Sequence, residues 1–286
     1  MNNFCIFVIS HGRADKIPTI KTLQKVGYTG KVFIVCDNED STVADYQLKH
    51  GFENVLIFDK KHYASLVDNA DNFQNRRTTT HARNACFDFA KQMGFEYFLV
   101  LDDDYIAIRH LLTKQQTYKQ HNVKNFDNVV KAFLQFLECD NRIASICFLQ
   151  GGDLVGGEQS YEQHRRMFPF QKRKAMNSFF CKTERRFWFF SRLNEDVNTY
   201  LLLGSVGHIF LSVPELALWQ AKTQSAAGGM SESYLSSGTY VKSFYTVMIR
   251  PSCAIVTVTA AMKRLHHKIS WNNAVPKIIC ESHKKQ

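Results

Sequence analysis

Short apolar runs and amphipathic stretches alternate along the first 150 residues. Residues 4–10 form an apolar run without helical period, followed by a polar turn and a stretch in which Ile17, Ile20, Leu23 and Val26 recur at helical spacing. A second, β-branched run at 31–36 ends in Asp37-Asn38-Glu39-Asp40, and a third at 55–58 ends at Asp59. Ala82, Ala85, Cys86, Phe89, Ala90 and Met93 keep the spacing of a helix that covers a sheet, and Gly94 closes it. A fourth run, 95–101, meets Asp102-Asp103-Asp104. Phe126, Val129, Val130, Phe133, Leu134 and Leu137 then repeat the helical period before a fifth run at 143–149. Strands alternating with helices predict an α/β fold with a mostly parallel, doubly wound sheet.

The remainder is less regular. It has β-rich runs at 177–181, 187–191 and 254–259, a helix expected from Glu195, and an end at 280–286 that reads as frayed. No internal repeat and no linker rich in Pro, Gly or Ser divides the chain. The expectation is therefore one domain with two halves, 1–150 and a β-rich 151–286. The apolar stretch 200–213 is too short for a membrane span and is broken by Gly204, Gly207 and His208. The six apolar residues at 4–9 run straight into Ser-His-Gly-Arg, unlike a signal peptide. Together these give the expectation of a cytoplasmic protein without a membrane partner. Eight cysteines with no Cys-x-x-Cys pair point to neither a zinc knuckle nor a disulfide framework.

Composition changes this picture in one respect. The net charge of +10 is localised: residues 160–192 carry nine Lys or Arg against two Glu, and 263–286 carry six against one. A basic face suits a polyanion or a phosphate-bearing substrate. In the first stretch Arg165, Arg166, Lys172, Arg173, Lys174, Arg185 and Arg186 interleave with aromatic residues, a pattern that can clamp phosphates and stack bases. The same pattern also fits a core with a solvated rim.

Ligands of open α/β sheets collect at the carboxyl ends of the strands. Asp102, Asp103 and Asp104 stand at such an end, and three adjacent carboxylates are best neutralised by a divalent cation with hard oxygen ligands, Mn²⁺ or Mg²⁺, which can bridge the phosphates of a nucleotide donor. Asp102 and Asp104 form the Asp-x-Asp arrangement of sugar-nucleotide enzymes. Phosphate-loop and dinucleotide glycine motifs are both missing, which removes a dehydrogenase reading. Ser10 and Arg13 follow the first run and Asp37 the second, in reach of a base, ribose or phosphate. Arg76, Arg77, His81, Arg83 and Asn84 surround the start of the next helix, where cations and backbone N–H groups favour a diphosphate. Glu195 and Asp196 open a helix behind Asn194. Two acids there ordinarily mean a favourable dipole and an N-cap, but either can serve as the base that takes an acceptor's proton.

Ser10-His11-Gly12-Arg13, the three aspartates and Asn194-Glu195-Asp196-Val197-Asn198-Thr199-Tyr200 together resemble the nucleotide-sugar-binding fold called GT-A. With Met176-Asn177-Ser178-Phe179-Phe180, Gly238-Thr239-Tyr240-Val241-Lys242-Ser243-Phe244, Pro251-Ser252-Cys253 and His266-His267, the chain resembles the TET-associated glycosyltransferases over nearly its whole length. The resemblance implies a GT-A-like enzyme of phage type, acting in a host cytoplasm, with a nucleotide-sugar-binding half at 1–150 and an acceptor half at 151–286. It implies a UDP-sugar donor and, as acceptor, the hydroxyl of 5-hydroxymethylcytosine or a related pyrimidine in DNA. It further implies Asp104 as the leading metal ligand, Asp102 and Asp103 near the ribose and the metal's waters, His266 or His267 as a late ligand, and Asp196 ahead of Glu195 as base. Gly151 and Gly152 become candidates for close approach to the donor sugar. The competing readings are a glycosyltransferase with a non-DNA acceptor, a nucleotidyltransferase, and a nucleic-acid-binding module without catalysis.

Overall fold

The structure, a computed structural model, describes residues 3–114, 117–150, 174–220, 241–258 and 265–274. The five expected runs become β1 (Phe4–Ile9), β2 (Lys31–Asp37), β3 (Val55–Phe58), β4 (Tyr97–Asp102) and β7 (Ile143–Gln150). Between them lie a hairpin, β5 (Tyr105–Lys114) and β6 (Thr117–Asn122), and helices α1 (Pro18–Lys25), α2 (Val43–His50), α3 (Lys60–Leu66), α4 (Thr80–Gln92) and α5 (Phe126–Glu138). The second half adds β8 (Ser178–Lys182), α6 (Glu195–Gly204), β9 (Ile209–Gln220), α7 (Val241–Ile249), β10 (Ala254–Val258), β11 (Leu265–Ile269) and α8 (Trp271–Ala274).

Nine strands form one sheet in the order β3-β2-β1-β4-β8-β7-β9-β5-β6, and β10 and β11 pair separately. β1 to β4 are mutually parallel, and β7 pairs in parallel with β9. β8 runs antiparallel between β4 and β7, and β5 antiparallel to β9. The sheet is thus mostly parallel, as the alternating pattern predicts. It crosses the expected boundary at residue 150, because β8 and β9 from the second half insert beside strands of the first. β9 accommodates Pro214 where its register against β7 shifts, between Val213 and Ala217.

Alternate residues of β1 face opposite layers. Phe4, Ile6 and Val8 pack with Leu23, Tyr46, Phe126 and Phe133, whereas Cys5, Phe7 and Ile9 pack with Tyr63, Ala85, Phe87, Val197 and Leu201. Helices α1, α2 and α5 therefore cover one face and α3, α4 and α6 the other, which is the doubly wound arrangement. Among the described residues no helix is long and apolar enough to cross a membrane.

The run at 187–191 is not a strand, contrary to expectation. Phe187 and Phe189 do enter the core, but Asn84 of α4 satisfies the backbone there, accepting from Phe189 N at 2.9 Å and donating to Phe189 O at 3.2 Å. A side-chain amide has replaced the neighbouring strand.

Candidate active site

The three aspartates at the end of β4 go to three different partners. Asp102 is the last residue of the strand, and Asp103 and Asp104 lie in the turn to β5, so their side chains diverge. Asp102 Oδ1 receives Arg83 Nη2 at 3.0 Å. Asp103 turns back to the β1 loop, accepting from Ser10 Oγ at 2.6 Å and Arg13 Nη1 at 3.1 Å. Asp104 accepts from Gln220 Nε2 at the end of β9, at 3.2 Å. Burial and mutual repulsion push Asp102 up to about 8 and Asp104 up to about 6, and burial raises Asp103 as well. The turn is held by α1: Thr19 Oγ1 donates to Asp102 O at 2.7 Å and accepts from Tyr105 N at 2.9 Å. Nothing in the spacing of Thr19 announces this role.

At the carboxyl end of β2, Asp37 Oδ2 pairs with His11 Nδ1 at 2.7 Å and Oδ1 with Lys60 Nζ at 3.2 Å. Burial works against ionisation there, but the hydrogen bond from His11 and the charge of Lys60 hold Asp37 below the ordinary carboxylate range. Gly12, at φ +67, lets the β1 loop bend so that its N–H meets Asp40 Oδ2 at 2.7 Å. Ser10, Arg13 and Asp37 are thereby gathered at one sheet edge with the aspartates. Arg76 lies beside them on Glu39, its Nε at 2.9 Å from Oε1.

The acid pair that opens α6 is reached through a strained turn. Ser191 and Asn194 take left-handed backbone conformations, at φ +67 and +61. Asn198, one turn into the helix, locks them by donating to Ser191 Oγ and, at 3.0 Å, to Leu193 O, while Thr199 Oγ1 accepts from Phe190 N at 3.2 Å. The run Asn-Glu-Asp-Val-Asn-Thr thus carries its own fastening. Asn194 does not cap the helix with its side chain, as the sequence led one to expect; it reaches Thr246 Oγ1 at 2.7 Å and His267 Nδ1 at 3.2 Å instead.

Glu195 and Asp196 are both buried but differently engaged. Glu195 Oε1 accepts from Thr79 Oγ1 and lies 3.4 Å from Arg83 Nη2. Asp196 Oδ1 accepts from the backbone N–H of Val197 at 2.7 Å. Burial first, then the neighbouring Glu195 charge, raise Asp196 to about 6, against the pull of Arg83 and Lys242. A carboxylate tuned toward neutrality is suited to taking a proton.

His267 is 9% exposed and its Nε2 has no hydrogen-bond partner among the described residues. Burial and the nearby His266, Lys174 and Lys242 keep the ring neutral. No three His, Cys, Asp or Glu side chains converge as a metal-ligand set among the described residues, so Asp102, Asp104, His266 and His267 do not meet as one cage. The hard oxygens of Asp102 and Asp104 nonetheless fit a divalent cation by their chemistry, being acids whose ionisation is opposed by burial and by neighbouring carboxylates, Asp104 and Glu195 for Asp102 and Asp103 for Asp104.

Arg185 and Arg186 stand apart from this edge, contrary to the charge count. They follow Lys182, which pairs with Tyr97 at the opposite end of β4 from Asp102. Arg185 donates to Leu137 O at 2.7 Å and Glu138 at 3.1 Å, and Arg186 to both oxygens of Asp88. Counting charges cannot register that carboxylates of other elements take these cations. Gly151, Gly152, Arg165, Arg166, Lys172 and Arg173 lie outside the described residues. Lys174 lies near enough to His267 to disfavour its protonation.

The model of the family described as TET-Associated Glycosyltransferase matches residues 4–229. Similar solved structures include S. aureus TarS 1–349 in complex with UDP, at 11% identity and TM-score 0.46, covering 86% of this chain and 65% of that one. Glucosyl-3-phosphoglycerate synthase from Mycobacterium tuberculosis with Mg²⁺ and UDP is similar at 8% identity and TM-score 0.47, over 93% of this chain and 87% of that one. The chain thus spans less than two thirds of the TarS chain. No curated protein matches it.

Proposed function

The chain belongs to the TET-associated glycosyltransferase family, and we propose that it moves a sugar from a UDP-sugar to the hydroxyl of 5-hydroxymethylcytosine, or a related hydroxymethylpyrimidine, in DNA. The observation that carries the mechanism is the unequal treatment of Glu195 and Asp196. Thr79 and Arg83 hold the Glu195 carboxylate, while Asp196 keeps a raised proton affinity in a buried setting. Asp196 is thus the better base for the acceptor hydroxyl, and Glu195 its neighbouring charge.

The donor is proposed to lie along the edge from Asp37 to Asp104. Asp37 suits a nucleobase or ribose donor group, and Arg76 the diphosphate. Asp104, with Asp102, would hold a divalent cation, which supplies charge stabilisation to the departing diphosphate when bound. DNA as acceptor rests on the family description and agrees with the excess of Lys and Arg at 160–192. The test is incubation with Mn²⁺, a panel of UDP-sugars and DNA containing 5-hydroxymethylcytosine, followed by mass analysis of the digested nucleosides. A hexose- or N-acetylhexosamine-sized gain that EDTA abolishes is expected. UDP release without that gain would keep the glycosyltransferase and discard the DNA acceptor.

A further inference from the structure

Arg83 sits in the first turn of α4 and is 1% exposed. A single nitrogen, Nη2, faces Asp102 Oδ1 at 3.0 Å, Glu195 Oε1 at 3.4 Å and Asn177 Oδ1 at 3.4 Å. Its Nε and Nη1 have no hydrogen-bond partner among the described residues. The rings of Phe179 and Phe189 stand 5.2 and 5.7 Å from Cζ. A guanidinium stripped of water, with N–H groups left against aromatic rings, is an expensive way to stabilise a fold. The sequence reads this cation as a diphosphate ligand at a helix start, but two carboxylates already compete for its one paired nitrogen.

Those carboxylates belong to different parts of the chemistry. Asp102 ends β4 on the donor edge, and Glu195 starts α6 beside the proposed base. We propose that Arg83 is a positioning residue that ties Asp102 to Glu195 and so fixes the distance of Asp196 from the donor, rather than a donor ligand. The inference rests on the reading of Asp196 as base. Thr79, one turn before Arg83, grips the same Glu195 oxygen and completes the clamp.

The test separates turnover from donor affinity. Arg83→Lys keeps the charge but loses the planar fork, and Thr79→Val loosens Glu195 without removing any charge. Misplacing a reacting group by an ångström costs on the order of 100-fold. Arg83→Lys is accordingly expected to lower kcat by roughly 10- to 100-fold and Thr79→Val by less, while the Kd for UDP, measured by calorimetry, stays within about twofold of wild type, a shift small beside the loss expected in kcat. UDP affinity falling in step with kcat would make Arg83 a donor ligand and overturn the proposal. Unchanged kcat in both variants would overturn it too. Should Arg83→Lys fail to fold, Thr79→Val decides alone. Absence of sugar transfer by the wild-type chain to any acceptor would overturn the underlying reading and this inference together, whereas wild-type transfer with either adverse pattern removes only the role of Arg83.

Discussion

Asn198 reaches back from the first turn of α6 to donate its side-chain amide to the hydroxyl of Ser191. That contact, with the bond from Asn198 to Leu193 O at 3.0 Å, holds a turn containing two non-glycine residues at positive φ. The turn in turn presents Glu195 and Asp196. Asn198 is completely buried, so the acceptors it serves have no water to fall back on.

Asn198→Ala is therefore expected to destabilise the protein by roughly 1–3 kcal/mol, the worth of the two buried hydrogen bonds it removes, with Leu193 O keeping the hydroxyl of Ser191 at 2.8 Å. Denaturant unfolding measures the loss. A change within about 0.5 kcal/mol, typical of an ordinary surface site, would mean that the turn is held by its neighbours instead.

Asp196 sets an expectation for pH. A base must be ionised, and burial together with Glu195 raises Asp196 to about 6. Turnover should climb through that pH and level off above it. The stability sign is opposite. Because the folded-state affinity for the proton exceeds the unfolded one, this group favours folding at acid pH and loses that contribution as pH rises through about 6. Asp196→Asn, which stays neutral, should abolish transfer yet gain on the order of 1–3 kcal/mol of stability at pH 8. An Asn variant that is both active and no more stable would remove the assignment.

The crowded aspartates predict a response to cations. Asp104→Ala should leave the fold intact and lose turnover. In wild type, Mn²⁺ should raise the Tm by offsetting the repulsion around Asp102 and Asp104, and EDTA should reverse it. A Tm indifferent to Mn²⁺ in wild type, or equally raised in Asp104→Ala, would place any metal elsewhere.

Much of this edge is legible in the sequence because strand and helix periods are local. The parallel strands β1 to β4 follow from apolar runs, and β2 and β4 end on Asp37 and Asp102 themselves. Divergence of the aspartates is not local: it depends on Ser10, Arg83 and Gln220, which arrive from β1, α4 and β9. The same holds for residues 187–191, where Asn84 replaces a strand partner, and for Asn194, whose partners come from α7 and β11. Side chains such as Thr19 and Thr79 carry no signal until the elements they fasten are adjacent.

The basic residues of 160–192 should set how transfer responds to salt. If DNA is the acceptor, phosphate contacts release counterions, and the KM for DNA should rise at least about tenfold between roughly 50 and 200 mM salt while the KM for the donor moves little. Arg185 and Arg186 are committed to Glu138 and Asp88, at the sheet end away from the aspartates. Replacing them with Ala should lower stability by up to about 1 kcal/mol, the range of partly exposed ion pairs, and leave the salt slope as it was. Replacing Arg165, Arg166, Lys172 and Arg173 together should instead flatten the slope, since those cations make up much of the remaining excess at 160–192. A slope lost with the first pair and kept with the second set would move the nucleic-acid surface to the opposite end of the sheet, and with it the argument for a DNA acceptor beside Asp196.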